Sequence, residues 1–249
     1  MFQNSLLMAA GGVDSGFSCD GVNFDGTNDY VTWASGWSGV VDGNELLYSY
    51  WIKRTGAGEQ VILGSALGSL NMSWQSSGSA YWTTTMWTHS PQTRLYYLQS
   101  NVAYAPTGGD WLHVLASFNA GVPYLYINNV NVLVDNHSID GQIDFANGAI
   151  NIGANTSGTQ KMANDLAEFW YFPNVSLDLS VAANRAKFSE DGKPISLGTD
   201  GSLPTGTAPA VYLHQDTGEA PANFKDNKGT GGDGVIVGTL TASSTSPTD

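Results

Sequence analysis

The sequence predicts an all-β protein, folded as an antiparallel two-sheet β-sandwich. Helical periodicity is nearly absent across its 249 residues. Short runs rich in Val, Ile, Tyr and Trp are separated by Gly, Asn, Asp and Ser clusters. Within these runs, apolar and polar residues alternate with period two. There are about fourteen such runs, too many for one open sheet without curling, so two packed sheets are expected.

The first element is VNFDGTNDYVTW, Val22 to Trp33, two short runs around an acidic, glycine-containing centre. Next come Leu46–Lys53, Gln60–Gly64, Leu70–Gln75, Ala80–Thr85 and Leu95–Gln99. In LYSYWIKR, Leu47, Ser49, Trp51 and Lys53 alternate with Tyr48, Tyr50, Ile52 and Arg54. In Trp111–Asn119, Leu112, Val114, Ala116 and Phe118 make an apolar face, and Trp111, His113, Leu115 and Ser117 face the other way. YLYINNVNVLV reads as a hairpin turning at Asn128-Asn129, because asparagine tolerates the left-handed conformation that a primed turn needs. Ala149–Gly153 and Asp165–Phe172 follow. Ser180–Phe188 is the one helical candidate, with Ser180 or Asp178 as its cap. Beyond Gly192 the texture turns to Gly, Pro, Thr and Ser. Two late strands, Ala210–Leu213 and Gly234–Leu240, are expected to return to the sandwich, and SSTSPTD is expected to be a mobile tail. The organisation read from this is an N-terminal arm over 1–20, a sandwich over 21–190 and a returning C-terminal segment over 191–249.

Composition narrows function. Charged residues are 12% of the chain, so the polar surface is mostly neutral. Nine Lys and Arg against 22 Asp and Glu give a net charge of −13, which argues against nucleic acid and anionic membranes as partners. Cys19 is the one cysteine, so no disulfide within the chain is possible. The opening MFQNSLLMAAGG has no basic region and too short an apolar run for a secretory signal, so synthesis in a cytoplasm is expected.

Candidate sites are few. The aromatic residues Trp74, Tyr81, Trp82, Trp87, Tyr96, Tyr97 and Tyr104 crowd one region of the chain. They suit a sugar platform, a subunit interface or core packing. Asp25, Asn28 and Asp29 in the opening turn suit either local turn hydrogen bonds or a calcium site. His113 reads as a hydrogen-bonded structural histidine, and His89, His137 and His214 are isolated in polar stretches. A paired-carboxylate strand, a G-x-S-x-G elbow, a P-loop and a Cys-His pair are all missing from the sequence, so no enzymatic activity is expected.

The order of motifs carries a resemblance. NFDGTNDYVTW, YSYWIKRTG, GDWLHVLASFNAGVPYLYINNVNV, GAINIGA and DLAEFWYFPNVSLDLS follow one another as in laminin-G-like, concanavalin-A-like jelly-roll domains. The segment from KPISLGTDGSLPTGTAPAVYL to NKGTGGDGVIVGTLT resembles the end of laminin-G-like proteins of tailed phages. This resemblance implies a two-sheet jelly roll in a virion structural or adhesive protein: a capsid decoration, head-fibre or tail-associated subunit. Its implied partners are other virion proteins, further copies of itself (a trimer as first expectation) and host-surface glycans. The alternative is a lectin-type receptor-binding module, with calcium held by Asp25, Asp29, Asp165 and Glu168, although Ala167 stands where many relatives carry an aspartate.

Overall fold

A computed structural model describes residues 16–56, 60–66, 70–75, 81–87, 94–100, 109–119, 122–138, 141–146 and 148–249, without the side chains of 74–75, 81–82, 85–87, 94–97 and 135–138. The period-two runs become strands in two eight-stranded antiparallel sheets. The strands are β1 (Val22–Asn23), β2 (Tyr30–Trp33), β3 (Glu45–Arg54), β4 (Gln60–Ser65), β5 (Leu70–Gln75) and β6 (Tyr81–Trp87). They continue with β7 (Arg94–Ser100), β8 (Trp111–Asn119), β9 (Val122–Ile127), β10 (Val130–Asn131), β11 (Leu133–Ser138) and β12 (Ile150–Ile152). The last are β13 (Asn164–Pro173), β14 (Ser189–Glu190), β15 (Lys193–Pro194), β16 (Val211–Leu213), β17 (Val235–Val237) and β18 (Thr241–Ala242). The first sheet runs β10-β9-β8-β3-β13-β1-β18, with β16 also on β13, and the second runs β11-β7-β6-β5-β4-β12-β2-β17. The C-terminal segment thus returns to both sheets.

Alternation decides which residues meet between the sheets. Val114, Ala116 and Phe118 of β8 and Tyr48, Tyr50 and Ile52 of β3 join the main core, as their spacing predicts. The Asn128-Asn129 hairpin forms with φ of 48° and 63°, the left-handed pair a type I′ turn requires.

The opposite face of the first sheet is not solvated. Leu47, Leu115, Trp170 and Tyr212 form a second cluster there, covered by Leu179, Phe188 and Leu197 from the segment after β13. That cover approaches closely at Gly201, whose carbonyl accepts the Trp170 indole N–H at 2.8 Å. A Cβ on Gly201 would sit 2.9 Å from the Tyr212 ring, and its φ is +77°, so a side chain there would be both crowded and strained.

Two expectations need correction. The helix is a single turn, α1 (Ala182–Arg185), and no side chain caps it. Asp178 instead accepts hydrogen bonds from the backbone N–H and hydroxyl of Ser180, a local turn that competes with a longer helix. The final residues are tied down rather than mobile. Thr245 Oγ1 accepts from Lys53 Nζ at 2.9 Å and from Trp111 Nε1 at 3.1 Å, and the Thr248 carbonyl accepts from Lys193 at 2.7 Å. Side-chain hydrogen bonds, not apolar pattern, hold this strap, so hydropathy does not reveal it.

Candidate functional site

The site begins with an irregularity in β13. From Leu166 to Tyr171 the strand holds one residue more than its partner β3: Ala167 faces Trp51, and the next regular pair is Trp170 with Ser49. Such a bulge breaks the alternation, so Leu166, Phe169 and Tyr171 all point into the core. The bulge contains Glu168, with a φ of 49° that a glutamate rarely adopts. Beyond the bulge, β13 exchanges its neighbour β1 for β16.

Glu168 is 2% exposed. A buried carboxylate needs donors or a positive partner. Here the Tyr212 hydroxyl donates to Oε2 at 2.9 Å, and His214 Nδ1 donates to Oε1. The Cys19 thiol is also hydrogen-bonded to Glu168, and burial followed by the Glu168 charge pushes its pKa well up. The other nitrogen of His214, Nε2, lies 2.9 Å from Asp216 Oδ1. Burial opposes the charged imidazole, but the hydrogen bond and charge of Glu168, then those of Asp216, outweigh it and raise the His214 pKa from 6.5 to about 9. His214 therefore stays charged at neutral pH and holds the exposed Asp216 carboxylate in place. Its ring is stacked between Phe17, at 5.8 Å, and Tyr212, at 5.7 Å.

These groups open on a cavity of about 350 Å³, lined by Phe17, Ser196, Gly198, Thr199, Tyr212, His214, Asp216 and Lys228. Strained backbone, a buried charge network and a cavity coincide here, the combination that marks a functional site. Chemically, the cavity offers the aromatic ring of Phe17, one fixed carboxylate, the charged His214 imidazole, one ammonium and neutral hydroxyls.

The residues singled out from the sequence are dispersed. Asp25 Oδ1 accepts the backbone N–H of Thr27 at 2.7 Å and of Asn28 at 3.3 Å, and the Thr27 bond leads in lowering its pKa. Asp29 accepts the N–H of Asp25 on one oxygen and of Thr239 on the other. Asp165 accepts from Asn23 Nδ2 at 2.7 Å and from Ser243 Oγ at 2.6 Å. Asp25, Asp29, Asp165 and Glu168 are therefore engaged by separate sets of donors, and no group of three or more His, Cys, Asp or Glu suited to a metal occurs among the described residues. Trp74, Tyr81, Trp82, Trp87, Tyr96 and Tyr97 come onto three neighbouring strands of the second sheet, with Trp74 opposite Trp82. Their side chains, and Tyr104 and His89 altogether, lie outside the described residues. His113 is a buried neutral histidine: Ser49 Oγ is 2.8 Å from Nε2, the Trp51 ring stacks on it at 4.9 Å, and burial lowers its pKa to about 3.

The sequence reading missed Tyr212, His214 and Asp216 as a group. A signal was present: in AVYLHQD they alternate and so share one side of an extended segment. Nothing local pairs them with Glu168, which is 46 residues from His214.

The family model that matches residues 25–182 is that of the concanavalin A-like lectin/glucanases superfamily. The chain belongs to this superfamily. Glu168 lies within the matched segment, whereas Phe17, Tyr212, His214, Asp216 and Lys228 lie outside it. Among superfamily-like solved structures, a candidate carbohydrate-binding protein from Bacteroides ovatus superposes with a TM-score of 0.58 at 12% identity, over 92% of this chain and 62% of that one. This chain therefore spans less than two thirds of the Bacteroides protein. The native heptameric SAP-like pentraxin of Limulus polyphemus gives a TM-score of 0.48 at 15% identity, over 65% of this chain and 79% of that one. Domains LG4-5 of the mouse laminin α1 chain give 0.46 at 15% identity, over 66% of this chain and 43% of theirs. At 12% identity the likeness to the Bacteroides protein shows the fold alone. No curated protein sequence matches the chain.

Proposed function

We propose that this chain is a glycan-binding module that does not cleave its ligand, carried on the particle of a tailed phage among other virion subunits. The cavity beside His214 carries the glycan reading. Phe17 offers an aromatic ring for the apolar side of a sugar, and Asp216, Lys228 and Thr199 offer fixed partners for its hydroxyls. The fold shared with the candidate carbohydrate-binding protein of Bacteroides ovatus supports the same reading. Glycosidic hydrolysis generally uses two carboxyl groups flanking the bond. Of the two carboxylates on His214, Glu168 is buried, while the Asp216 side chain is 75% exposed, and this favours binding over cleavage. The sparsely charged, Ser/Thr/Gly-rich composition suits packing among neutral virion surfaces.

A glycan array tests the reading. The wild-type chain binds a defined set of sugars, Phe17→Ala and Asp216→Asn each weaken that binding about tenfold or more, and incubation releases no new reducing ends. Binding that survives both substitutions but is lost with Trp82→Ala or Trp87→Ala would move the site to the second sheet. Stoichiometric copies in purified particles would support the virion setting; detection only outside particles would refute it.

A further inference from the structure

The cavity beside His214 carries two opposite charges that its own walls leave unpaired. Asp216 Oδ1 lies 2.9 Å from His214 Nε2, while Oδ2 accepts no hydrogen bond among the described residues. His214 offsets the charge of Glu168, so Asp216 makes its end of the cavity negative. The Lys228 side chain lines the same cavity and forms no ion pair or hydrogen bond among the described residues. Most other lysines are spent on protein oxygens: Lys53 on Thr245, Lys161 on Gly158, Lys193 on Thr248 and Lys225 on Asp226.

Backbone contacts hold the two charges at different places. The Lys228 N–H donates to the Tyr212 carbonyl at 2.9 Å. Asn227 Oδ1 accepts the N–H of Tyr212 at 2.8 Å and of Gly229 at 2.9 Å, which pins the chain on both sides of the lysine. Asp216 belongs to a turn clamped from outside. Its N–H donates to Glu219 Oε2 at 3.2 Å, and the Gly218 N–H donates to Asp20 Oδ2 at 2.8 Å. Four residues of extended chain separate Tyr212 from Asp216, a span of up to about 13 Å. The lysine does not close that gap, so anion and cation face the cavity separately.

This arrangement ranks ligands by charge. A purely anionic sugar meets Asp216 and a chain of net charge −13. A purely cationic sugar meets Lys228. A neutral sugar gives each charge only a hydroxyl, whereas hydrogen bonds between two ionised groups are the stronger kind.

We propose that the cavity selects a zwitterionic glycan, with an ammonium group at the Asp216 end, a carboxylate at the Lys228 end and its apolar side on Phe17. The proposal rests on the glycan-binding function above and names its ligand class.

Four hexosamines of different charge test it in NMR titrations of the full chain: glucosamine (cationic), N-acetylglucosamine (neutral), N-acetylmuramic acid (anionic) and muramic acid (zwitterionic). Muramic acid should bind about tenfold more tightly than any of the other three, the worth of two partly exposed ion pairs. Asp216→Asn should bring it level with N-acetylmuramic acid, and Lys228→Gln should bring it level with glucosamine. The two variants act on separate walls, so misfolding of one leaves the other as the test. If all four sugars bind alike and Phe17→Ala weakens them all, the cavity binds glycans but the zwitterion preference is overturned. If none shifts the signals of the cavity residues, the glycan-binding function of the cavity falls and this proposal with it.

Discussion

His113 and His214 share the outer face of the first sheet and are driven to opposite states. His113 has a neutral hydroxyl and an indole ring for company, so burial alone acts and its pKa falls to about 3. His214 is also partly buried, but Glu168 and Asp216 bracket its two nitrogens and its pKa rises to about 9. Burial pulls both pKa values down, and the charged partners of His214 reverse the sign there. The first histidine is packing, and the second ties the buried, strained Glu168 to the Asp216 carboxylate that lines the cavity.

The largest effect should appear in acid. Unfolding lets His113 take a proton near pH 6.5, whereas the folded state resists until about 3. Its contribution is therefore complete above 6.5 and lost as pH falls towards 3, at up to about 1.4 kcal/mol per pH unit and about 5 kcal/mol in all. Denaturant melts between those values should show this slope, and His113→Gln should flatten it.

Next in size is Glu168→Ala. It leaves the Tyr212 hydroxyl, the Cys19 thiol and His214 without their shared acceptor, while relaxing the positive φ only slightly. A loss of about 3 kcal/mol is expected in equilibrium unfolding. Full stability in this variant would mean that the network is not formed.

A smaller effect lies on the alkaline side. The raised pKa of His214 means that its contribution is present below 6.5 and lost as pH rises through about 9. The His214 side chain is 12% exposed and that of Asp216 75%, so solvent reduces this to about 2 kcal/mol. His214→Gln should remove the alkaline limb and keep the acid one. In NMR titration the His214 ring should change near pH 9, while the His113 ring should not titrate above about pH 4. The smallest expected change is with calcium: both oxygens of Asp29, Asp165 and Glu168 already accept protein hydrogen bonds, so calcium or EDTA should leave the melting temperature unmoved.

Much of the fold was legible because it is local. Period-two alternation in β3 and β8 sorts their side chains between core and outer face, and the Asn128-Asn129 turn follows from left-handed tolerance. What escaped was local pattern overridden by distant partners. Leu115 and Ser117 would read as a solvent face, yet both are 1% exposed because a later segment folds over them.

By itself, then, the sequence determined the strands, the two-sheet sandwich and the return of the C-terminal segment, since these rest on spacing that each stretch carries within it. The tertiary structure alone decided the Glu168–His214 network and the strapped C-terminus. A bulge shifts the parity of β13 by one residue, and β16 then arrives from elsewhere in the chain. Spacing within a strand records neither event, because both depend on which backbone happens to lie alongside.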